Sequence, residues 1–347
     1  MDGERSMKLI LIGFGVVGQG FAEILRDKAV ELKRKHGFAA AIIGVVTASK
    51  GALYRSDGLD IPALLEAAHG GCFSHYPDQP GLRRGWSADE MIAAGEADAL
   101  VEVSPTNLET AQPALDICKL ALDAGMHLVL ANKGPVALDH ANLRAQARAK
   151  GVQMRYEATV MAGTPTMHLA EDALAGCEIL SARGILNGTT NYILTQMESG
   201  MSYEGALKQA QELGYAETDP TGDVEGWDAA GKVLILANAL FGASLTMADL
   251  DVSGITHISA ADIAEARAAG CRYKLIASAT AEGGMVKAAR LPLADPLASV
   301  GGSTNAITMK TDLLGDITLI GAGAGKLETG GAILADLLAI QRAAGPS

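Results

Sequence analysis

Asp228 and Lys232 stand four residues apart at the head of an apolar run, Val233-Leu234-Ile235-Leu236. Helical spacing puts the two on one face. In a half-buried setting the acid can orient the amine and tune it for proton transfer. The same spacing also suits an ordinary surface ion pair, worth only about a few tenths of a kcal/mol. A polar loop just upstream carries Tyr215, Glu217, Asp219 and Asp223, so acids concentrate ahead of the pair. Lys133, in Ala131-Asn132-Lys133-Gly134, follows another apolar run. A lysine at such an edge can hold a substrate anion or a transferred proton.

A second constellation is rich in glycine. Gly13-Phe14-Gly15-Val16-Val17-Gly18 is a G-x-G-x-x-G turn, placed directly after the apolar run Met7–Ile12 and before a helical pattern over 16–35. In such a turn the first glycine permits the sharp bend. The second lets a pyrophosphate approach the backbone, and the third lets helix and strand pack closely. Free N–H groups at the helix N-terminus favour the phosphates. By itself the pattern fits any tight turn, but its place between two strand-like runs points to a dinucleotide. The second run, over 39–47, is followed by no Asp or Glu before Ser56 that could bond a ribose 2′-hydroxyl. Ser49 and Lys50 come instead. A hydroxyl and a cation suit a 2′-phosphate, which tilts the cofactor toward NADP. NAD is the alternative, and a merely solvated Lys50 is the competing account.

Strand, glycine turn, helix, strand is the opening of a doubly wound α/β sheet. Further strands are expected over 99–103, 127–130 and 151–156. Helices are expected over 87–94, where Ser87 and Glu90 form a capping box, and over 108–124 and 136–150. The stretch 48–86 is rich in Gly, Pro, Ser and His, and is expected at the surface with one short helix near 62–68. Past residue 164 the rhythm changes. Helices are expected over 164–173, 190–199, 203–213, 223–240 and 260–269. Strands are expected over 177–185, 271–280, 285–291, 306–311 and 317–320, before a terminal helix over 326–342. Ligands of a doubly wound sheet bind beyond the carboxyl ends of its strands. Ser104, Lys133 and the loop from Glu157 all fall there.

With 347 residues and 49% apolar content the chain can build two cores. Aromatics are only 4%, so those cores must be aliphatic. A net charge of −12 argues against nucleic acid and anionic membranes as partners. The most apolar stretch, 233–245, is too short to span a bilayer and reads as a buried helix. Cys72, Cys118, Cys177 and Cys271 are scattered, with no C-x-x-C pair. That usage fits reduced thiols in the cytoplasm better than disulfides or zinc. The polar start, 1–6, is expected to be a short extension, with no secretory signal visible.

Several longer motifs go beyond these patterns. They are Ala131-Asn132-Lys133; Glu157-Ala158-Thr159-Val160 with Gly163-Thr164-Pro165; and Gly184-Ile185-Leu186-Asn187-Gly188-Thr189-Thr190-Asn191-Tyr192-Ile193. Leu213-Gly214-Tyr215-Ala216-Glu217 follows, with Asp219-Pro220, Asp223, Gly226, Asp228 and Lys232, and then Gly321-Ala322-Gly323-Ala324-Gly325. On these, and over nearly its whole length, the chain resembles the homoserine dehydrogenase family.

The resemblance implies oxidation of L-homoserine to L-aspartate 4-semialdehyde, or the reverse reduction, within threonine and methionine synthesis. It implies Lys232 and Lys133 as the proton-transfer and substrate-orienting lysines. Glu217 would meet the substrate ammonium, Asp223 and Asp228 would shape the pocket, and Tyr215, Gly188 and Thr189 would line it. A monovalent cation, sodium, is implied on Glu157, Val160, Ala162 and Thr164. Ser104 would touch the nicotinamide, and the turn ending at Gly325 would close over the same nucleotide. The elementary chemistry agrees: reducing an aldehyde needs hydride at carbon and a proton at the developing alkoxide, which a lysine can give.

The expected architecture is α/β. A Rossmann-like doubly wound dinucleotide-binding domain (1–135 and 322–347) joins an α+β substrate and dimerisation domain (136–321), in a homodimer. Residues 48–86 match no family pattern. The chain stops soon after the terminal helix, so feedback through an appended regulatory domain is not expected. Two other readings compete. A paralogue would act on another amino-acid aldehyde or alcohol, and a non-catalytic dinucleotide sensor would not need Lys133, Glu217, Asp228 and Lys232 together. An aspartate-semialdehyde dehydrogenase fits less well, because no cysteine sits where a nucleophile would.

Overall fold

The structure, a computed structural model, describes residues 6–344. The expected extension therefore lies outside the described residues except for Ser6. Two compact units divide the chain, one holding Met1–Thr159 with Gly325–Ser347 and the other Val160–Ala324.

In chain order the first unit begins with β1 (Met7–Ile12), α1 (Val16–His36), β2 (Ala40–Thr47) and β3 (Gly51–Tyr54). It continues with α2 (Ile61–His69), β4 (Arg83–Arg84), α3 (Ala88–Ala93) and β5 (Ala99–Glu102). Then come α4 (Ala114–Asp123), β6 (His127–Leu130), α5 (Lys133–Lys150) and β7 (Met154–Arg155). The second unit holds α6 (Thr166–His168), β8 (Ile179–Ile185), α7 (Gly188–Glu198), α8 (Tyr203–Glu212), α9 (Thr221–Val224) and α10 (Trp227–Leu240). It goes on through β9 (Leu250–Val252), α11 (Ala260–Ala268), β10 (Cys271–Ala279), β11 (Gly284–Pro292), β12 (Thr304–Thr311) and β13 (Gly315–Ala322). The chain then returns to the first unit as α12 (Lys326–Ala343).

The sheet of the first unit runs β4-β3-β2-β1-β5-β6-β7. From β2 to β7 it is parallel. Helices cover such a sheet on both faces, so its strands are unbroken apolar runs, and Leu9, Ile10, Leu11 and Ile12 are all buried. The connections change direction between β1 and β5, the place where an α/β sheet opens a crevice at its strand ends. Helix α1 stops at Gly37, whose φ of 59° lets its N–H return to the carbonyls of Leu32 and Lys33. Helix α12 lies against α1 at glycines: a Cβ on Gly20 would stand 2.3 Å from the Lys326 carbonyl oxygen.

Three expectations are corrected here. The stretch 48–86 does carry the short helix, α2, but it is no mere surface segment. It extends the sheet with β3 and β4, which pair antiparallel, and buries Leu53, Tyr54, Leu64, Leu65, Phe73 and Tyr76. The helix expected from residue 108 begins at Ala114. Asn107 caps a turn by accepting from the N–H groups of Glu109 and Thr110, and Ala111 has φ of 57°. The first unit also runs past 135, because β7 pairs with β6 and α5 packs on α4, so both continue the first sheet.

The sheet of the second unit is mixed, in the order β13-β12-β8-β10-β11-β9. Only β11 and β9 pair parallel. Helix α10 lies over β10 and β11, and α7 over β10 and β12. The helix expected over 223–240 is two helices, α9 and α10, broken at Gly226 with φ of 93°.

Lys274, on β10, is buried beneath α7. Its Nζ donates to Asn191 Oδ1 at 3.0 Å and to the Val300 carbonyl at 2.7 Å, tying helix to sheet. Burial penalises the charge and pulls the pKa from 10.5 down to about 8; Glu198 opposes the shift and Arg272 adds to it. Below pH 8 the amine is charged in both folded and unfolded chains, and the folded chain bears the burial cost. Between about 8 and 10.5 the folded chain releases a proton that the unfolded chain keeps. Stability attributable to Lys274 should therefore rise across that window, on the order of 3 kcal/mol. Denaturant unfolding at stepped pH checks this, and Lys274→Met should flatten the rise.

Candidate active site

The three glycines of the turn stand in different surroundings. Gly13 has φ of 96°, and a Cβ there would stand 2.6 Å from the Val103 carbonyl oxygen. Gly18 is buried, with its Cβ position 3.1 Å from the Gly13 carbonyl oxygen and 3.4 Å from Val103. Gly15 differs: it is exposed, and a Cβ on it would meet nothing within 4 Å. The open space over Gly15, at the N-cap of α1, is where backbone can receive a phosphate, and no acid stands in the first turn to repel one. Phe14 is buried, and its carbonyl accepts from Gln19 Nε2. Val16 is exposed and Val17 half-buried. Ser49 is exposed in the turn after β2, which Lys50 closes by donating its N–H to Thr47 Oγ1.

At the next strand ends, Glu102 closes β5 and is wholly buried. Its Oε1 accepts from the Ser104 N–H at 2.8 Å and from Asn132 Nδ2 at 3.4 Å. Asn132 Nδ2 also reaches Ser104 Oγ and the Pro105 carbonyl, while its Oδ1 caps α5 by accepting from the Gly134 N–H. The helix expected from 136 begins earlier, so Lys133 is the first residue of α5, with its N–H on Thr106 Oγ1. Gly325, also in this unit, is the N-cap of α12.

In the second unit, β8 delivers Leu186 and Asn187 to the start of α7. Asn187 accepts the Thr190 N–H as N-cap, and its Nδ2 donates to Asp223 Oδ1 at 2.7 Å and Asp228 Oδ2 at 3.0 Å. Lys232, from α10, donates to the Leu186 carbonyl at 2.6 Å and to Asp228 Oδ2 at 2.7 Å. The pair foreseen at helical spacing is therefore real, and its lysine is 7% exposed. Burial is the main cause that raises the Asp223 pKa above an ordinary aspartate's, partly offset by the Asn187 hydrogen bond. Thr189 is buried, and its Oγ1 donates to the Tyr215 carbonyl at 2.6 Å. That bond ties the 214–220 loop to α7 beside Gly188. Tyr215 itself is exposed, with its ring 5.1 Å from that of Tyr192. Glu217 is exposed, and no side-chain bond joins it to Lys232, Asp228 or Asp223 among the described residues.

Of the residues expected to hold a cation, Glu157 is buried in the first unit. Val160, Ala162 and Thr164 belong to the second and are buried too. Met161 and Ala162 take positive φ values of 58° and 35°, Thr164 returns its N–H to the Met161 carbonyl, and its Oγ1 donates to the Ala322 carbonyl. Among the described residues no group of three or more His, Cys, Asp or Glu could hold a metal ion.

Sequence reasoning gave no role to Glu102, Asn132, Asn187 or the Leu186 carbonyl. Asn132 and Asn187 each precede a helix, which is an N-cap signal. Nothing local marks a backbone carbonyl or a buried glutamate.

Comparison with known proteins adds to this geometry. Residues 165–338 match the family described as homoserine dehydrogenase. The NAD(+)-dependent homoserine dehydrogenase of Pseudomonas canavaninivorans is 42% identical over 344 residues, covering 97% of each chain. A solved chain from Archaeoglobus fulgidus, provisionally named a homoserine dehydrogenase, superposes with a TM-score of 0.85 at 37% identity, covering 96% of this chain and 99% of that one. A hyperthermophilic archaeal homoserine dehydrogenase in complex with NADPH gives 0.83 at 27% identity, covering 98% of each.

The glycines make opposite demands, and that is testable. Gly15→Val should leave the thermal melt nearly unchanged, since its φ of −79° is open to any residue and its surroundings are empty. The same change should weaken NADPH binding at least about tenfold by blocking phosphate approach. Gly13→Val should instead lower the melt itself, through a backbone clash costing about 1–3 kcal/mol or more. Fluorescence titration with NADPH beside the melt distinguishes the two.

Proposed function

The chain belongs to the homoserine dehydrogenase family, and from that premise we propose that it interconverts L-homoserine and L-aspartate 4-semialdehyde with a nicotinamide dinucleotide. The observation that carries the reading is Lys232, an almost wholly buried amine held on the Leu186 carbonyl and the Asp228 carboxylate. The dinucleotide supplies the hydride acceptor for oxidation, and the donor for reduction. The chain's own residues handle the proton and the substrate's charges. Lys232 takes the proton from the substrate hydroxyl during oxidation and returns it to the alkoxide during reduction. Asp228 and the Leu186 carbonyl hold the amine in place while it does so. Asn187 holds Asp223 and Asp228 side by side, which keeps Asp228 oriented toward Lys232. Lys133 and Glu217 are assigned to the substrate's hydroxyl and ammonium, and Tyr215, Gly188 and Thr189 to the pocket lining.

The turn Gly13 to Gly18, with Ser49, Lys50, Ser104, Lys133 and Gly325, is assigned to the dinucleotide, Lys133 thus facing both cofactor and substrate. Open backbone over Gly15 supports this for the pyrophosphate. Absence of an acid after β2 favours NADP, while the Pseudomonas relative is named for NAD(+). Sodium on Glu157, Val160, Ala162 and Thr164 belongs to the same proposal, supported by a donor set of one carboxylate and backbone oxygens. So does a homodimer. Strand β13 is an open edge, with Ile320 at 55% exposure, and Leu313 in the turn before it is 70% exposed. The unpaired cysteines support a reducing cytoplasm, with a place in threonine and methionine synthesis.

The test is dinucleotide reduction with L-homoserine, run with NADP and NAD side by side. Malate, lactate and aspartate should give nothing. Lys232→Ala should lose about a hundredfold or more of turnover, the scale of a general acid–base group, while keeping its affinity for the dinucleotide. Unchanged turnover in that variant would sink the assignment. Light scattering should give twice the 35.7 kDa chain mass.

A further inference from the structure

Glu102 stands apart from every other acid in the described chain. It is wholly buried at the end of β5, and its Oε2 has no hydrogen-bond partner. No cationic side chain is among the influences on it. Its other oxygen, Oε1, receives both the Ser104 N–H and Asn132 Nδ2. The Glu102 backbone carbonyl receives the N–H groups of Ala131 and Asn132. One residue thus holds the loop after β5 to the loop after β6. The first loop carries Ser104, and the second carries the α5 cap, with Lys133 beginning the helix.

We propose that Glu102 is a positioning residue: as a neutral carboxyl group it clamps the Ser104 loop to the Asn132 cap, and so sets Ser104 and Lys133 for the dinucleotide. The inference rests on the dinucleotide reading of this sheet edge. Its physical basis is the mismatch between donors and charge. The Ser104 N–H and Asn132 Nδ2 converge on Oε1, the Ser104 hydroxyl adds its pull on the carboxyl, and Oε2 has no hydrogen-bond partner. An ionised carboxylate would leave half its charge buried and unpaired, whereas the neutral acid leaves only one hydroxyl unmatched. Burial accordingly raises the Glu102 pKa, against the pull of the Ser104 and Asn132 hydrogen bonds. The Cys118 thiol of α4 is buried as well, and burial raises its pKa. Among the described residues no cation stands beside the glutamate to pair with its charge, and burial outweighs the hydrogen bonds that favour ionisation.

A glutamine is the same shape as the neutral acid and can offer its carbonyl to both donors. Glu102→Gln should stay within about threefold of wild type in NADPH affinity and in homoserine oxidation. Glu102→Ala removes both hydrogen bonds and should lose tenfold to a hundredfold in each. Infrared difference spectroscopy of the ligand-free protein at neutral pH should show a protonated-carboxyl band that vanishes in Glu102→Gln. A loss in the glutamine variant as large as in the alanine variant overturns the proposal, as does wild-type behaviour in the alanine variant. If the alanine variant fails to fold, the glutamine variant and the band decide, and absence of the band overturns it. Wild-type protein that binds neither NADP nor NAD sinks the dinucleotide reading instead, and the band alone then reports whether Glu102 carries its proton.

Discussion

A lysine amine taken out of water must be surrounded by oxygen, and the second unit is arranged around that requirement. Lys232 finds one oxygen at the carbonyl of Leu186 and one at the carboxylate of Asp228. The carbonyl is available because β8 ends there, and the carboxylate because it lies one helical turn back along α10. Asn187 then does two jobs, capping α7 and bridging Asp223 and Asp228. Were two half-buried acids left without that amide, their mutual repulsion would compete with the ion pair. The break at Gly226 belongs to the same arrangement: α9 and α10 take separate directions, so Asp223 and Asp228 reach one asparagine from two helices.

The first unit answers a different constraint. A parallel sheet gathers strand ends along one edge, and whatever stands there must satisfy backbone groups that the sheet no longer pairs. Gly13 and Gly18 serve packing, Gly15 leaves open space, and Asn132 caps the helix that begins with Lys133. Glu102 is the buried link among these loops. Its cost in desolvation is partly offset by the hydrogen bonds it receives from both loops.

The pattern of agreement with the sequence follows from range. The i,i+4 pair of Asp228 and Lys232, the Ser87 to Glu90 capping box and the apolar strands are local, and each was legible because its partners lie within a few residues. The stretch 48–86 reads as surface in composition because β3 and β4 gain their stability by extending an existing sheet, which composition does not reveal. The helical pattern starts at 108 but the helix only at Ala114, since the Asn107 turn and the positive φ of Ala111 compete with it. Lys133 begins its helix three residues before the helical pattern at 136 because Asn132 caps it.

The sequence by itself determined the class of protein. The glycine turn between two apolar runs, the missing acid after the second run and the long motifs from Ala131 to Gly325 pointed to a nicotinamide dinucleotide and to the homoserine dehydrogenase family. Tertiary structure alone decided which groups share a site. Leu186 and Lys232 are 46 residues apart, and Glu102 and Asn132 are 30 apart. Sequence patterns report spacing along one element, whereas the exclusion of water, which gives a buried amine or carboxyl its partners and its charge state, depends on every element packed around it.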